Sequence, residues 1–445
     1  MAEQTRLSRR GFIKGATGLT LGAVGFPYVI RPAALGKAGG VAASGRITVG
    51  CVGVGPQGTY VMRNFLGQKD CQVIAICDLK EPRRDEVSNI VNQHYGNDDC
   101  AVYTDYREII ARDDIDVILA APNDHWHVRV ALEAARAGKD IYLEKPMGLS
   151  LAEDQALRTA CHHYGTAFQF GTQQRSGRNF RFACELVRNG RIGTLNTINV
   201  WSPGSSSGGS REPVPAPDWI DYDTWLGPAP YHPHTPDRTS NQWWWFISDY
   251  ALGFIAGWGV HPLDIALWGG ADNVTCPVEI EGKGVWPDPE GVCDTAMNWN
   301  ITAKYDSGVT MNYTGVPYPG EWKQRYGRTT DHGTAFEGSD GWVHVDRSGI
   351  NAHPKELLDI EWGPNDTRLY ESNNHARNLL DCVKTREETI CPIDAAVQAD
   401  ILCHISDIAI RLEEKLRWDP ASERFVNNDT ANRRLVRAMR SPWRL

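Results

Sequence analysis

The chain has 445 residues, 41% of them hydrophobic and 23% charged, enough to bury a large core and to form two or three domains. Its 46 basic residues stand against 55 acidic ones, a formal net charge of −9. With no basic run beyond the N-terminus, this balance argues against nucleic acid as a partner.

The chain opens on a targeting pattern. Ser8-Arg9-Arg10-Gly11-Phe12-Ile13-Lys14 matches the twin-arginine signal S-R-R-x-F-x-K. The apolar stretch that follows is interrupted by Gly18, Gly22, Gly25 and Pro27, which makes it a poor membrane span, and a run of small residues over 33–44 offers cleavage sites. No cysteine stands there to carry a lipid anchor. Residues 1–44 therefore read as a signal peptide and linker. The twin-arginine translocase is the expected partner during export, the periplasm or another exported location the expected destination, and no stable membrane anchor is expected. That route carries folded proteins, which suits a cofactor loaded before export. The eleven cysteines form no CxxC; Cys51, Cys71 and Cys77 read as small buried hydrophobes, and a disulfide between two others stays open.

From residue 46 to about 170 strands and helices alternate. A β-branched run, Ile47 to Val52, leads into Gly53-Val54-Gly55-Pro56-Gln57-Gly58, a G-x-G-x-x-G loop that opens a helix over 57–66. The first glycine allows the tight turn, the second lets backbone approach a pyrophosphate, and the third lets helix and strand pack closely. The helix N-terminus offers its free N–H groups to phosphate. A second strand, 72–77, ends in Asp78, about 20 residues on, where a carboxylate suits the ribose hydroxyls of NAD and repels the 2′-phosphate of NADP. The pattern continues with a helix from 82, a helix over 106–111, a strand over 117–121 and a helix over 125–137. A strand over 141–143, a helix over 151–164 and a strand over 167–170 complete it. This predicts a doubly wound parallel sheet with ligands at the carboxyl ends of its strands.

Those strand ends carry Ala121-Pro122-Asn123-Asp124-His125-Trp126-His127, Glu144-Lys145-Pro146 and Gly171-Thr172-Gln173. Here the chain resembles the Gfo/Idh/MocA oxidoreductases, the family of glucose–fructose oxidoreductase and inositol dehydrogenase. Pro122, Asn123 and His127 meet its T-P-N-x-x-H pattern, with Ala121 in place of the threonine, and Ala137-Gly138-Lys139 with Glu144-Lys145-Pro146 meet its A-G-K-x-x-x-x-E-K-P. The resemblance implies an NAD-binding Rossmann domain over 46–170, followed over 171–445 by a substrate-binding α+β domain with a large, open, mostly antiparallel sheet. It implies that Gln57, Pro122, Asn123, His127, Glu144, Lys145 and Gln173 join Gly53, Gly55, Gly58 and Asp78 around the cofactor, and that the protein is a homo-oligomer, dimer or tetramer. Lys145 takes the place of the family's catalytic acid/base.

In the second half, helices are expected over 178–188, 374–384 and 393–415, and strands over 194–201, 297–304, 310–313 and 341–345. The Ser-, Gly- and Pro-rich stretch 202–217 reads as a long loop, either a lid or disordered. Gly253 to Asp264 resembles the family segment G-G-x-x-x-D-x-G-x-H-x-x-D, with His261 and Asp264 matching and Gly257 where the family carries an aspartate. His261 is the second candidate acid/base, or a donor that orients the hydroxyl; Asp264 is a candidate to orient its ring, or equally to cap or pair elsewhere; and Arg175 is a candidate to reach substrate or cofactor from the domain junction, or else to form an interdomain ion pair. Eight of the sixteen tryptophans lie between 201 and 268, and Trp258 with Trp243–Trp245 are the candidates to stack on a sugar ring. His232, His234 and Asp237 stand among prolines and read as an ordered loop, so no metal is expected.

Oxidising a sugar hydroxyl requires a base to take the proton as hydride leaves the carbon. Partial desolvation beside a cationic nicotinamide would destabilise the ammonium of Lys145, making it that base. An exported enzyme has no free nicotinamide pool, so the cofactor is expected to stay bound and be restored in place. That leaves a sugar oxidoreductase with a second acceptor, an NAD-dependent glycosidase working through transient oxidation at C3, elimination and water addition, or a non-catalytic NAD-binding sugar sensor.

Overall fold

The apolar runs of the first half become the six strands of a parallel sheet, β1 (Ile47–Val52), β2 (Cys71–Cys77), β3 (Ala101–Tyr103), β4 (Val117–Ala120), β5 (Asp140–Leu143) and β6 (Phe168–Phe170). The computed structural model describes residues 41–327 and 330–445; the Ser8–Lys14 signal pattern lies outside the described residues. Strand order is β3-β2-β1-β4-β5-β6, with every pairing parallel. The order reverses between β1 and β4, and the crevice outside their carboxyl ends is where a doubly wound sheet receives its ligand. Both faces are covered, so β4 and β5 are buried at every position. Helices α1 (Pro56–Leu66), α2 (Glu81–Tyr95), α3 (Tyr106–Ile110), α4 (Asp124–Arg136) and α5 (Leu151–Tyr164) connect the strands. Val61, Met62 and Phe65 of α1 pack on Val49, Cys51, Val73 and Val117, with Cys71 in the same core.

The second half follows α6 (Arg178–Arg188) with a nine-stranded sheet of order β13-β12-β11-β7-β10-β9-β8-β14-β15. Its strands are β7 (Leu195–Ser202), β8 (Glu279–Val285), β9 (Asn298–Lys304), β10 (Thr310–Gly315), β11 (Gly333–Gly338), β12 (Trp342–Asp346), β13 (Gly349–His353), β14 (Leu416–Asp419) and β15 (Arg424–Phe425). The β7–β10 pair is parallel and the others are antiparallel, so the expected mostly antiparallel open sheet is present. Alternation sorts its two faces: Ile198 and Val200 of β7 join the main core, while Trp201 points the other way onto Trp322, Tyr326 and Trp342.

Helices α7 (Phe254–Gly257), α8 (Val260–Gly270), α9 (His375–Thr385) and α10 (Ile393–Leu412) complete the framework. Ala376, Leu379 and Leu380 of α9 pack in the same core as α1 and β1, and His375 Nε2 lies 2.7 Å from Phe170 O. The 202–217 stretch has no helix or strand beyond Ser202, yet it is tied down. Cys293 N donates to Gly208 O (3.2 Å), Arg211 Nε to Gly291 O (2.7 Å), Val214 N to His234 O (2.9 Å) and Phe254 N to Ser205 Oγ (2.9 Å). Among the described residues no helix is long and apolar enough to cross a membrane.

Candidate active site

The glycine loop has the form its spacing predicts. Gly53 sits at φ +78°, and a Cβ there would lie 2.3 Å from Pro122 N; one on Gly58 would lie 2.0 Å from Gly53 O. A Cβ on Gly55 would meet nothing within 4 Å, so the middle glycine faces open space. No side chain caps α1, and Pro56 opens it, which leaves the first N–H groups of the helix for a phosphate. These residues fit a dinucleotide pyrophosphate. At the end of β2, Asp78 accepts from Val54 N and from Lys80 N, both at 2.9 Å. Burial pushes this carboxyl up, against the pull of those two bonds and of Lys80 and Arg83. Arg83 donates to Val54 O at 2.7 and 3.1 Å and Arg84 to Asp78 O at 2.8 Å, so cations surround the position that would meet the adenosine ribose. Sequence reasoning weighed Asp78 and passed over them.

At the end of β5, Glu144 Oε1 accepts from Gln57 Nε2 and from Gln173 Nε2, each at 3.1 Å, and Oε2 accepts from Lys145 N at 3.2 Å. Three residues from distant points of the chain thus meet at one buried carboxyl, which desolvation pushes up. Asn123 is partly exposed at the start of α4 and its side chain makes no cap bond. His127 is turned inward: Nδ1 lies 2.6 Å from Pro146 O and Nε2 3.2 Å from Pro122 O. Burial pushes its pKa down to about 4, so the ring is neutral and has one N–H to give; the shorter contact assigns it to Nδ1, which ties α4 to the loop after β5 through Pro146 O.

Lys145 projects across to the second half, where Nζ donates to Gly257 O at 2.8 Å and lies 5.4 Å from the Trp245 ring centroid. The residue that lacks the family's carboxylate supplies a main-chain carbonyl instead. His261 begins α8 within the same cluster. Its ring is buried, edge-on to Trp258 at 5.5 Å, and its Nδ1 has no partner. Desolvation first, then the charges of Lys145 and Arg347, push its pKa well below 6.5, so the ring is neutral at physiological pH. Trp258 carries His332 at 4.6 Å and the guanidinium of Arg347 at 4.5 Å from its ring. His332 and Arg347 were not singled out in the sequence. They lie on strands β11 and β12 or the turns beside them, and only the folded sheet brings them across to Trp258.

At Arg175 and Asp264 the structure takes the ion-pair alternative that the sequence left open. Arg175 Nε donates to both oxygens of Asp264 (3.0 and 2.9 Å) and its NH2 group to Oδ1 (2.6 Å), in a pair buried at the junction. Arg175 is not extended toward substrate, and Asp264 serves the guanidinium instead of orienting His261. The i, i+3 spacing of His261 and Asp264 suggested a shared face, but Asp264 is fully buried and turns to the guanidinium of Arg175. Trp243–Trp245 divide: Trp244 is buried and stacks on Trp245, which faces Lys145. His232 pairs with Asp249 (2.9 Å), His234 lies against Val214 O and Thr239, and Asp237 accepts from Ser210 N.

A second buried group supports the chain just past Lys145. Asp400 of α10 accepts from Met147 N (3.0 Å), and Asp154 Oδ2 lies 3.0 Å from His404 Nε2. Asp154, Asp400 and His404 offer atoms within 4.8 Å of one another, a spacing that could hold a metal ion. Burial first and the charge of Asp154 second push Asp400 up to about 8, so this carboxyl holds its proton at neutral pH.

Comparison with known proteins agrees with this frame. A family model described as "Oxidoreductase family, NAD-binding Rossmann fold" matches residues 47–172, and one described as "Oxidoreductase family, C-terminal alpha/beta domain" matches residues 196–445. The chain is 27% identical over 174 residues to a myo-inositol 2-dehydrogenase from Thermotoga maritima, covering 39% of this chain and 47% of that protein. It is 30% identical over 154 residues to a glycosyl hydrolase family 109 protein from Shewanella sp. strain MR-4, covering 34% of this chain and 33% of that protein. The chain thus spans half or less of the length of these curated relatives. Among solved structures, the WlbA dehydrogenase from Bordetella pertussis in complex with NADH and UDP-GlcNAcA matches with a TM-score of 0.61 at 15% identity, over 84% of this chain and 99% of that one. An aldose-aldose oxidoreductase from Caulobacter crescentus matches with a TM-score of 0.58 at 18% identity, over 84% and 99%. At these identities the likeness concerns the fold. The family models cover both halves, from the glycine loop to the last strands, and the chain belongs to the Gfo/Idh/MocA oxidoreductase family.

Proposed function

We propose that this protein is an NAD-dependent oxidoreductase acting on a ring hydroxyl of a sugar or glycoside, with Lys145 as its acid/base and the cofactor retained through turnover. The observation that carries the reading is the placement of Lys145 Nζ, 2.8 Å from Gly257 O, beside a buried neutral His261 at the end of β5. NAD, when bound, supplies the hydride acceptor. Gly53, Gly55, Gly58 and the start of α1 would hold its pyrophosphate and Asp78 its ribose, with Lys80 and Arg83 the residues that bear on NADP. Glu144, bridged by Gln57 and Gln173, would fix the end of β5 against it. Lys145, as the free amine, takes the proton of the substrate hydroxyl and becomes the ammonium, while an N–H donated to Gly257 O fixes where Nζ points. His261 has a free nitrogen with which to accept from, or donate to, the same or a neighbouring hydroxyl. Export in the folded state through the twin-arginine route belongs to this reading, because it explains why the cofactor has to stay.

A second reading is NAD-dependent glycoside hydrolysis with no net redox change. The uncharged partner of Lys145 and the 30% identity to a glycosyl hydrolase family 109 protein favour it. The purified protein, incubated with aryl glycosides and no added cofactor, separates the two. Acceptor-dependent change at 340 nm supports the oxidoreductase. Many turnovers of aglycone release with no net NADH support the hydrolase. No turnover of either kind, with NAD still bound, leaves a sugar sensor and refutes both.

A further inference from the structure

Arg347 stands at the tip of the β12–β13 hairpin, in the turn Asp346-Arg347-Ser348-Gly349. Its neighbour Asp346 is spent on the turn, Oδ1 accepting from Ser348 N (2.7 Å) and Gly349 N (2.9 Å) and Oδ2 from Thr330 Oγ1 (2.5 Å). The turn is therefore rigid, and the guanidinium it presents is held by its inner edge. The plane lies 4.5 Å from the Trp258 ring centroid, and Nε donates at 3.3 Å to the amide oxygen of Gln174, whose nitrogen donates to His261 O. The backbone N of Arg347 donates to His332 Nε2 (3.4 Å), which leaves His332 Nδ1 to donate to Asp331 Oδ1 (2.8 Å).

Among the described residues Arg347 has no ion pair, and neither of its terminal nitrogens has a partner. The acids that bear on it are Asp331, bonded to His332, and Glu144, buried and bridged by two glutamines. Burial works against its charge, and that charge in turn reaches His261. Among the described residues, the face that Lys145, His261 and Trp258 present to a substrate thus holds the cations Lys145 and Arg347, while Glu144 and Asp331 are each already hydrogen-bonded. Arg347 is exposed at the hairpin tip, so its planar fork stays open toward the cleft, and a neutral sugar would leave it without a charge partner.

We infer that the substrate carries a carboxylate, as a uronic acid or a glycoside of one does, and that the two terminal nitrogens of Arg347 take it as a fork. Anchored there, the sugar presents its ring hydroxyls toward Lys145 and His261. The inference rests on the reading of this site as one that acts on sugar hydroxyls, but it is tested by binding alone. Calorimetry on the full-length NAD-loaded protein would compare D-glucuronate and D-galacturonate with glucose, galactose and glucose 6-phosphate. One uronate is expected to bind at least tenfold more tightly than its neutral parent, to lose that advantage in Arg347→Met, and to keep part of it in Arg347→Lys. Retained NAD affinity in Arg347→Met shows that the variant is folded. Equal binding of acid and parent, uronate binding unchanged in Arg347→Met, preference for the phosphate, or no binding of any of these sugars would each overturn the inference. Uronate binding without any redox or hydrolytic turnover would instead count against the proposed function and leave the carboxylate site standing.

Discussion

Arg175 offers a sharp test, because the sequence left open a substrate contact or an interdomain ion pair and the structure shows the buried pair. Three bonds of 2.6–3.0 Å join the guanidinium to Asp264, and a fourth, of 3.3 Å, runs from its NH1 group to Ile390 O. The side chains are 8% and 0% exposed, so truncating either one strands a charge where water cannot reach it. Breaking a buried pair from one side costs about 3–5 kcal/mol. For a cooperative unit of about 400 residues that is about 4–6 °C in Tm. Arg175→Met and Asp264→Asn should each show this loss by calorimetry or thermal denaturation. The double variant Arg175→Met/Asp264→Leu should recover most of it, because no charge is left unpaired. Steady-state kinetics below the transition should show KM within about twofold of the parent, the range expected of a residue that does not touch substrate. A KM raised tenfold with Tm unmoved would refute this reasoning and return Arg175 to the substrate contact.

Lys145→Met should lose about 10²–10⁴-fold in turnover while NAD binding, followed by fluorescence or calorimetry, stays intact; full activity in that variant would sink the proposed chemistry. Gly55→Val should weaken NAD binding at least tenfold and leave the Tm of the cofactor-free protein unchanged, since the site around Gly55 is open in the protein itself. Gly58→Ala should lower both, because its Cβ would meet Gly53 O at 2.0 Å. Asp400 makes stability depend on pH. Its folded pKa of about 8 lies above the ordinary 3.8, so the folded form binds the proton more tightly. Its contribution is complete below about pH 4 and is lost as pH rises toward 8. Asp400→Asn removes that ionisation and keeps an acceptor for Met147 N, so the variant's Tm relative to the parent should climb between pH 5 and 9; a constant offset would contradict the assignment.

Much of the first half was legible because parallel strands buried on both faces announce themselves as unbroken apolar runs, and because Gly53, Gly55 and Gly58 each have a distinct steric task. The second sheet was harder to read. β8 hides because two of its inward positions are Gly282 and Gly284, left small so that Ile410 of α10 can close on them; a Cβ at either would come within 3.1–3.3 Å of that side chain. β11 hides in a similar way, starting at Gly333 beneath the Trp201 ring. At the site, Glu144, Lys145 and Gln173 were singled out because motif and strand end coincide, and His261 because it falls in the segment matched at Gly253–Asp264. Arg347 was not, since a hairpin turn gives no sign of which cleft it will overhang until the sheet is assembled. The partner of Asp264 stayed open in the sequence because spacing along a helix reports which residues share a face, and cannot report that a buried guanidinium from α6's approach waits on that face.

A carboxylate beside Lys145 would titrate, and a single substitution could remove it. The carbonyl of Gly257 does neither. It offers the same acceptor at every pH at which the chain stays folded, and no exchange of side chain deletes it. What can displace it is the path of the main chain through α7, and that path is pinned where Phe254 N meets Ser205 Oγ. Residues 202–217 therefore share the aiming of the lysine with Tyr313, whose hydroxyl donates to Ile255 O at 2.8 Å. If Lys145 is the proposed acid/base, sequence drift in that stretch would be felt as lost turnover before it was felt as lost stability.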